Sequence, residues 1–252
     1  MSQYMRADCH TCCPEQAIRV CLYLWCFPQI RPSTKLTCFP QRMEKYSCVE
    51  RKSYLQERSL FASSPFTIKS VEVMPESLPA VFTRLVADNV GQYEKSLVID
   101  LGGTTLDVGV IVGQFEDVSA VHGNPDIGVS MVTKATLTAL KMASSDTSPM
   151  IADELIKNRK NLDFVGQVVN EVSKLNLVLD TIDTAINKLG ELVVDDLLQY
   201  RNVNRVYIVG GGAALIADAV RKAWNHLGEK VVLMDEPQTA LVQAIARFEA
   251  EE

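Results

Sequence analysis

The sequence has no cysteine after residue 48. All seven cysteines lie within the first 48 of its 252 residues, and the balance of charge changes sign at the same place. The first stretch carries six basic and three acidic residues, whereas the remainder carries 19 basic and 28 acidic ones. Because composition and charge change together, we predict a cysteine-rich leader at residues 1–48 and a folded domain at residues 49–252.

Three further absences narrow the class of protein. No apolar run reaches the roughly 18 residues that a membrane-spanning helix needs, and the first residues lack a basic segment leading into an apolar one. We therefore expect neither a membrane protein nor a secreted one, but a cytoplasmic protein. A net charge of −6 provides no general surface for polyanions, so direct binding of nucleic acid is not expected. With 47% apolar residues, the chain can bury a large core.

Three interpretations of the leader remain open. Cys9 and Cys12, with His10 and Cys13 nearby, have the spacing that begins a zinc site, but no second closely spaced pair follows. A disulfide framework needs an oxidising compartment, and an odd number of cysteines leaves one thiol over. In the third interpretation the leader encodes no natural fold, because it lacks helical or strand periodicity and is typical of a shifted reading frame or a misassigned start.

Regular patterns begin near residue 59, where predicted strands and helices alternate. Strands are predicted at residues 66–73, 96–101, 104–112, 116–122, 205–209 and 230–234. Helices are predicted at residues 78–90, 127–143, 149–157, 165–199, 213–226 and 237–248. Residues 165–199 fit one helix or two broken helices packed on a core better than a coiled coil, since paired opposite charges are missing. The alternation predicts an α/β domain.

Two glycine-rich turns follow buried strands of this pattern. Residues 102–105 read Gly-Gly-Thr-Thr between two strands, and residues 210–212 are three glycines between a strand and a helix. Glycine lets the backbone approach a ligand closely, and the N-terminus of a helix offers unpaired N–H groups. Neither turn has the spacing of a P-loop or a Rossmann motif. A glycine-rich turn of this kind most often has only a structural role, but the two turns together indicate a phosphate-binding site.

Three motifs in combination resemble the ParM/StbA plasmid-segregation actins, within the superfamily of actin, sugar kinases and heat-shock chaperone ATPases. They are Val-Met-Pro-Glu-Ser-Leu-Pro at residues 73–79, Val-Ile-Asp-Leu-Gly-Gly-Thr-Thr-Leu-Asp at 98–107 and Ile-Val-Gly-Gly-Gly-Ala-Ala-Leu-Ile at 208–216. The resemblance covers about residues 49–252. It implies an actin-like (ribonuclease H-like) ATPase domain of the α/β class, in which helices flank a mixed sheet and the first domain is largely missing.

The resemblance also implies ligands, partners and residue roles. The ligands are ATP (or GTP) and Mg; the chain would self-associate into filaments and reach plasmid centromere DNA only through an adaptor protein. Glu76 would orient the attacking water, and Asp100 would hold Mg through bound water. Their simpler roles are an acid at a helix start and an acceptor for turn amides. The nucleotide would contact Gly102, Gly103, Thr104, Thr105, Gly210, Gly211 and Gly212.

Other polar residues receive structural roles. Asp107 is expected to be a structural partner of the hairpin at residues 102–105. His122 and His226 lie too far apart in the sequence to form a ligand pattern, so we expect ordinary surface or core histidines.

The sequence departs from this family in one respect. The family has two similar halves, and the first half carries another phosphate hairpin, for which residues 1–58 contain no motif. Phosphates held from one side only stay open to water, so we expect weak hydrolysis or none, and enzymatic activity remains open. Two functions follow: a truncated filament-forming partition protein, or a non-catalytic nucleotide-binding module that caps or modulates a full-length filament.

Overall fold

The chain divides into two compact units, Met1–Pro79 and Ala80–Glu252. A computed structural model describes residues 34–38, 68–73 and 77–250, with side chains for residues 77–247.

In the first unit, β1 (Thr34–Cys38) pairs in parallel with β2 (Ile68–Val73). The second of these strands lies where alternating apolar residues predict one. Glu76 and the motif around Cys9 lie outside the described residues. Their proposed roles, like the predicted boundary after residue 48, stay predictions.

The second unit is built on a mixed five-stranded sheet. Its strands are β3 (Lys95–Leu101), β4 (Leu106–Val112), β5 (Asp117–Asn124), β6 (Arg205–Val209) and β7 (Val231–Leu233). Antiparallel pairing joins the first three strands, and parallel pairing attaches the other two, in the spatial order β5-β4-β3-β6-β7. Each strand overlaps a stretch that the sequence predicts as a strand.

Seven α-helices accompany the strands in the part of the chain that the structure describes. None of them combines the length and the apolar character that a bilayer crossing requires. They are α1 (Phe82–Ala87), α2 (Ser130–Met142), α3 (Pro149–Asn158), α4 (Leu162–Val168), α5 (Leu175–Asp196), α6 (Ala213–Ala223) and α7 (Ala240–Ala250). Short 3₁₀ helices lie at Leu78–Val81, Val172–Lys174, Leu198–Tyr200 and Asn225–Lys230.

One face of the sheet and three helices form the main core. Leu97, Ile99 and Leu101 of β3 and Ile208 of β6 are fully buried, and they cluster with apolar residues of α2, α5 and α6. Helix α5 packs against both α2 and α6. This packing places the ends of β3 and β6 on a rigid base, which is what a binding site at those ends requires.

Asn170 interrupts the long helix that the sequence predicts at residues 165–199. Its backbone N–H donates to Ser145 Oγ at 2.8 Å, and its side-chain amide donates to the Ser144 carbonyl at 2.7 Å. These bonds compete with helical ones, and Val172, an apolar residue of the predicted stripe, is 75% exposed. The interpretation as two broken helices is therefore confirmed, and the apolar stripe continues in α5 with Ile182 and other buried residues.

Asp88 joins α1 to the other face of the sheet. The Tyr207 hydroxyl of β6 donates to Asp88 Oδ2 at 2.8 Å, and Arg84 Nε lies 2.8 Å from Asp88 Oδ1. Burial, followed by the hydrogen bond to Asp88, raises the pKa of Tyr207 far above its usual range, so this hydroxyl stays protonated. Helix α1 ends earlier than predicted, because Asn89 adopts a left-handed φ of 48°.

Helices α5 and α6 cross at two small residues. A Cβ added to Gly190 of α5 would lie 2.7 Å from the Cβ of Ala219 in α6, closer than two carbon atoms can pack. Glycine inside a helix costs about 1 kcal/mol relative to alanine. The close crossing, rather than backbone conformation, therefore explains glycine at this position.

We predict that Gly190→Ala lowers the free energy of unfolding by about 1–2 kcal/mol, because overpacking against Ala219 outweighs the better helix propensity. Urea unfolding followed by circular dichroism measures this change. The double variant Gly190→Ala/Ala219→Gly moves the methyl group to the other helix and should recover part of the loss. A stabilising effect of Gly190→Ala alone would contradict the crossing described above.

Candidate functional site

The two glycine-rich turns lie side by side at one edge of the sheet. Strands β3 and β6 are parallel neighbours, with Asp100 opposite Val209, so the turns at residues 102–105 and 210–212 follow the same ends of two adjacent strands. The Gly212 N–H donates to the Leu101 carbonyl at 2.9 Å and ties the second turn to the first. The carboxyl ends of neighbouring parallel strands are a common place for ligand sites.

The first turn is a compact hairpin connection with one open side. The Gly102 N–H donates to the Thr105 carbonyl at 2.9 Å, and Thr105 Oγ1 donates to Asp107 Oδ2 at 3.0 Å. These two donors are thus used within the hairpin, and Asp107 has a structural contact with it. Gly103 and Thr104 are exposed, and a Cβ added to Gly103 would meet no atom within 4 Å. The open side of the hairpin is therefore formed by Gly103 and Thr104.

The second turn contains two tightly packed glycines and an open one. Gly210 has a φ of +90°, and an added Cβ would overlap the Asp100 carboxylate, so only glycine fits there. At Gly212, the N-cap residue just before α6, a Cβ would lie 2.7 Å from Leu101 Cδ2. Gly211 is exposed, and the nearest atom to its added Cβ is Cγ of Gln238 at 3.8 Å. This turn thus presents Gly211 outward beside the open side of the hairpin.

Asp100 is a partly buried carboxyl group between the two turns. Burial, together with the smaller effect of the charge of Asp107 directly opposite on β4, raises the pKa of Asp100 to about 7. A cation beside this pair would favour the ionised form of Asp100, which is the form that holds Mg or its bound water. Among the residues described, no cluster of three or more His, Cys, Asp or Glu could hold a metal ion.

The start of α2 supports the hairpin at residues 102–105 through backbone hydrogen bonds. The N–H groups of Val129 and Ser130 donate to the carbonyls of Gly102 and Gly103 at 3.2 and 2.7 Å. A Cβ added to Gly128 would lie 2.6 Å from Thr104 Cα, so the backbone there must approach without a side chain. The sequence does not predict this support. Its only signal there is Gly128, which lies inside the helix predicted at residues 127–143.

Comparison with known families gives one match. Residues 90–248 match the model of the family described as plasmid segregation protein ParM, C-terminal. Comparison with curated protein sequences gives no significant match.

Solved structures with the same fold include three actin homologues. An archaeal actin homologue, Ta0583, in complex with ADP is 20% identical over 74% of this chain and 60% of its own, with a TM-score of 0.54. MreB5 of Spiroplasma citri bound to ADP is 16% identical over 87% of this chain and 69% of its own, with a TM-score of 0.55. The chain of a 15-stranded ParM filament from Clostridium botulinum is 16% identical over 74% of this chain and 55% of its own, with a TM-score of 0.51.

These similarities confirm the predicted fold class, an actin-like domain in which helices flank a mixed sheet. The chain spans 60% of the length of the archaeal chain and 55% of the length of the clostridial chain.

We predict that the free energy of unfolding falls as the pH rises from about 4 to about 7, by up to a few kcal/mol, through Asp100. Its pKa of about 7 in the folded protein exceeds the ordinary value of 3.8 for an aspartate, so the folded state holds the proton more tightly over this interval. Below the interval the contribution is fully present, and as the pH rises through 7 it is lost. Urea unfolding at several pH values, without metal ions, measures it.

Asp100→Asn should flatten this dependence and stabilise the protein at pH 8, and Asp107→Asn should make it shallower, because the repelling charge is gone. The same slope in Asp100→Asn as in the parent protein would show that this carboxyl group titrates normally.

Proposed function

We propose that this chain, which belongs to the family of the plasmid segregation protein ParM, is a nucleotide-binding protein of plasmid partition that self-associates into filaments. The observation that carries the proposal is the meeting of two glycine turns at one edge of the sheet, with Asp100 between them. The ligand is a nucleoside di- or triphosphate, ATP or GTP, together with Mg.

The difference between the tightly packed and the open glycines of the two turns supports the fit to a nucleotide. Gly210 and Gly212 are glycines because neighbouring atoms leave no room for a side chain. A Cβ added to Gly103 would meet no atom, and one added to Gly211 would only make an ordinary contact with Gln238 at 3.8 Å. The N–H groups of both glycines donate no hydrogen bond within the described part of the chain. Exposed backbone donors without side chains are what a phosphate cradle requires. Among the residues assigned by resemblance, Gly103 and Gly211 therefore suit the ligand.

The fit to Mg rests on the carboxylate pair. The ionised forms of Asp100 and Asp107 repel one another, and a divalent cation held through water would offset that repulsion. When bound, the nucleotide supplies the phosphate chain and Mg neutralises part of its charge. Asp100 would accept hydrogen bonds from the water around Mg, while Thr105 and Asp107 keep the hairpin in shape. Glu76 stays the proposed residue for orienting an attacking water.

Self-association is supported by family membership and by the assembly of one relative. The ParM of Clostridium botulinum forms a 15-stranded filament, and we assign a filament to this chain by analogy. The acidic balance of −6 suits contact with centromere DNA through an adaptor protein rather than directly. The proposal places the protein in the cytoplasm.

A second candidate function is a non-catalytic module that caps or modulates filaments of a full-length homologue. It is favoured by the sequence of residues 1–58, which contains no motif of a second phosphate hairpin. A module that binds the end of a filament but offers no complete site to the next subunit would stop growth there.

We predict that Gly103→Val weakens binding of Mg–ADP by at least about tenfold, because its side chain fills the space proposed for phosphate. Isothermal titration calorimetry measures this affinity. Gly166→Val is the matched control, since Gly166 of α4 also has open space around an added Cβ but lies outside the two turns. It should bind as the parent does. Equal affinities for both variants, or a parent chain that binds no nucleotide, would overturn the proposal.

Light scattering with Mg–ATP separates the two candidate functions. We expect scattering to grow with the concentration of the parent chain, and Asp100→Ala to abolish this growth because Mg is no longer held. If the parent alone gives no growth but slows that of a full-length homologue at substoichiometric amounts, the second function is correct.

A further inference from the structure

Asp196 occupies a position that its own helix disfavours. It is the last residue of α5, and no basic residue lies in the final turn of that helix. A carboxylate near the C-terminus of a helix is repelled by the partial negative charge of the last carbonyl groups. A local preference that is broken in this way calls for a compensating contact elsewhere in the structure.

That contact is made by two residues of the edge strand β5. Asn124 Nδ2 donates to Asp196 Oδ1 at 2.7 Å, and His122 Nε2 lies 2.8 Å from Asp196 Oδ2. The two residues are separated by one position, so they lie on the same face of the strand. The Asp196 side chain is only 16% exposed. Both carboxylate oxygens are thus engaged, and the carboxylate bridges α5 and β5.

Asn124 is also where β5 ends and the chain turns toward the glycine turns. It stands opposite Leu106, the first residue of β4 after the hairpin connection. Its side-chain oxygen accepts a hydrogen bond from the Asp126 N–H at 3.0 Å, while its amide nitrogen is held by Asp196. The side chain of Asn124 therefore links Asp196 to residues 124–129, which we call the support loop.

The support loop contacts both glycine turns. Gly128 packs directly against Thr104, and the Val129 N–H donates to the Gly102 carbonyl at 3.2 Å. On its other side, Val129 Cγ2 would lie 2.5 Å from a Cβ added to Gly212, so it fills the space above that glycine. A shift of this loop would move the backbone of both turns.

We infer that Asp196 is a positioning residue of the nucleotide site and acts through Asn124 and the support loop. The inference rests on the proposed nucleotide-binding function. It assigns different roles to the two contacts of one carboxylate. The bond to Asn124 fixes the start of the support loop, whereas the contact with His122 only attaches the strand to the helix.

The test compares Asn124→Ala with His122→Ala, which removes the other contact of the same carboxylate. Two measurements are made on the full chain: calorimetry with Mg–ADP, and hydrogen–deuterium exchange without nucleotide. We expect Asn124→Ala to weaken Mg–ADP binding on the order of tenfold, as the loss of an outer-shell hydrogen bond does at metal sites. We also expect it to speed exchange at residues 102–105 and 128–130. His122→Ala should leave both measurements close to the parent values.

Two variants at the helix end complete the design. Asp196→Asn keeps an oxygen that can accept the bond from Asn124 and should stay close to the parent, whereas Asp196→Ala should reproduce Asn124→Ala. The double variant Asn124→Ala/Asp196→Ala should lose no more affinity than either single variant, because both remove the same link. These comparisons also decide the outcome if one of the alanine variants fails to fold.

The possible failures are distinguishable. If the parent chain binds no Mg–ADP, the proposed function fails, and the exchange of residues 102–105 still tests the support loop. If exchange and affinity change equally in Asn124→Ala and His122→Ala, the carboxylate only stabilises the fold, and the inference is overturned. Unchanged exchange at residues 102–105 in Asn124→Ala overturns it as well.

Discussion

The parallel pairing of β3 with β6 is the constraint on which the site depends. Backbone hydrogen bonds between these strands place Asp100 opposite Val209. Because the strands are parallel and in this register, the turns that follow them meet at one edge of the sheet. The helices α2, α5 and α6 bury the face beneath and hold both strands in place. Two segments separated by more than half of the second unit thereby become one surface, and the carboxyl group of Asp100 takes its unusual environment from the same geometry.

The glycines at this surface serve two purposes that only packing distinguishes. At Gly128, Gly210 and Gly212, neighbouring backbone or side-chain atoms occupy the space of a Cβ, so these residues let segments approach one another. Gly103 and Gly211 have room for a Cβ and leave backbone groups accessible. A site assembled in this way is rigid where it contacts the core and unobstructed where a ligand would lie, a division that preorganised sites need.

The sequence predicted those parts of the structure that depend on neighbours along the chain. Buried runs such as residues 96–101 and 205–209 are strands because their apolar residues repeat locally, and residues 102–105 and 210–212 are turns because of their glycines. Contacts between distant segments were not predictable. Asn170 breaks a helix through bonds to Ser144 and Ser145, and Asp196 reaches β5, neither of which any local pattern encodes.

The crossing of α5 and α6 has a consequence for how relatives of this chain can vary. Gly190 and Ala219 share one small volume, so a larger side chain at one position leaves less room at the other. Substitutions accepted at these positions should therefore be correlated among homologues that keep the crossing, although the two residues lie on different helices. Such paired variation would record a steric contact rather than a shared role in binding.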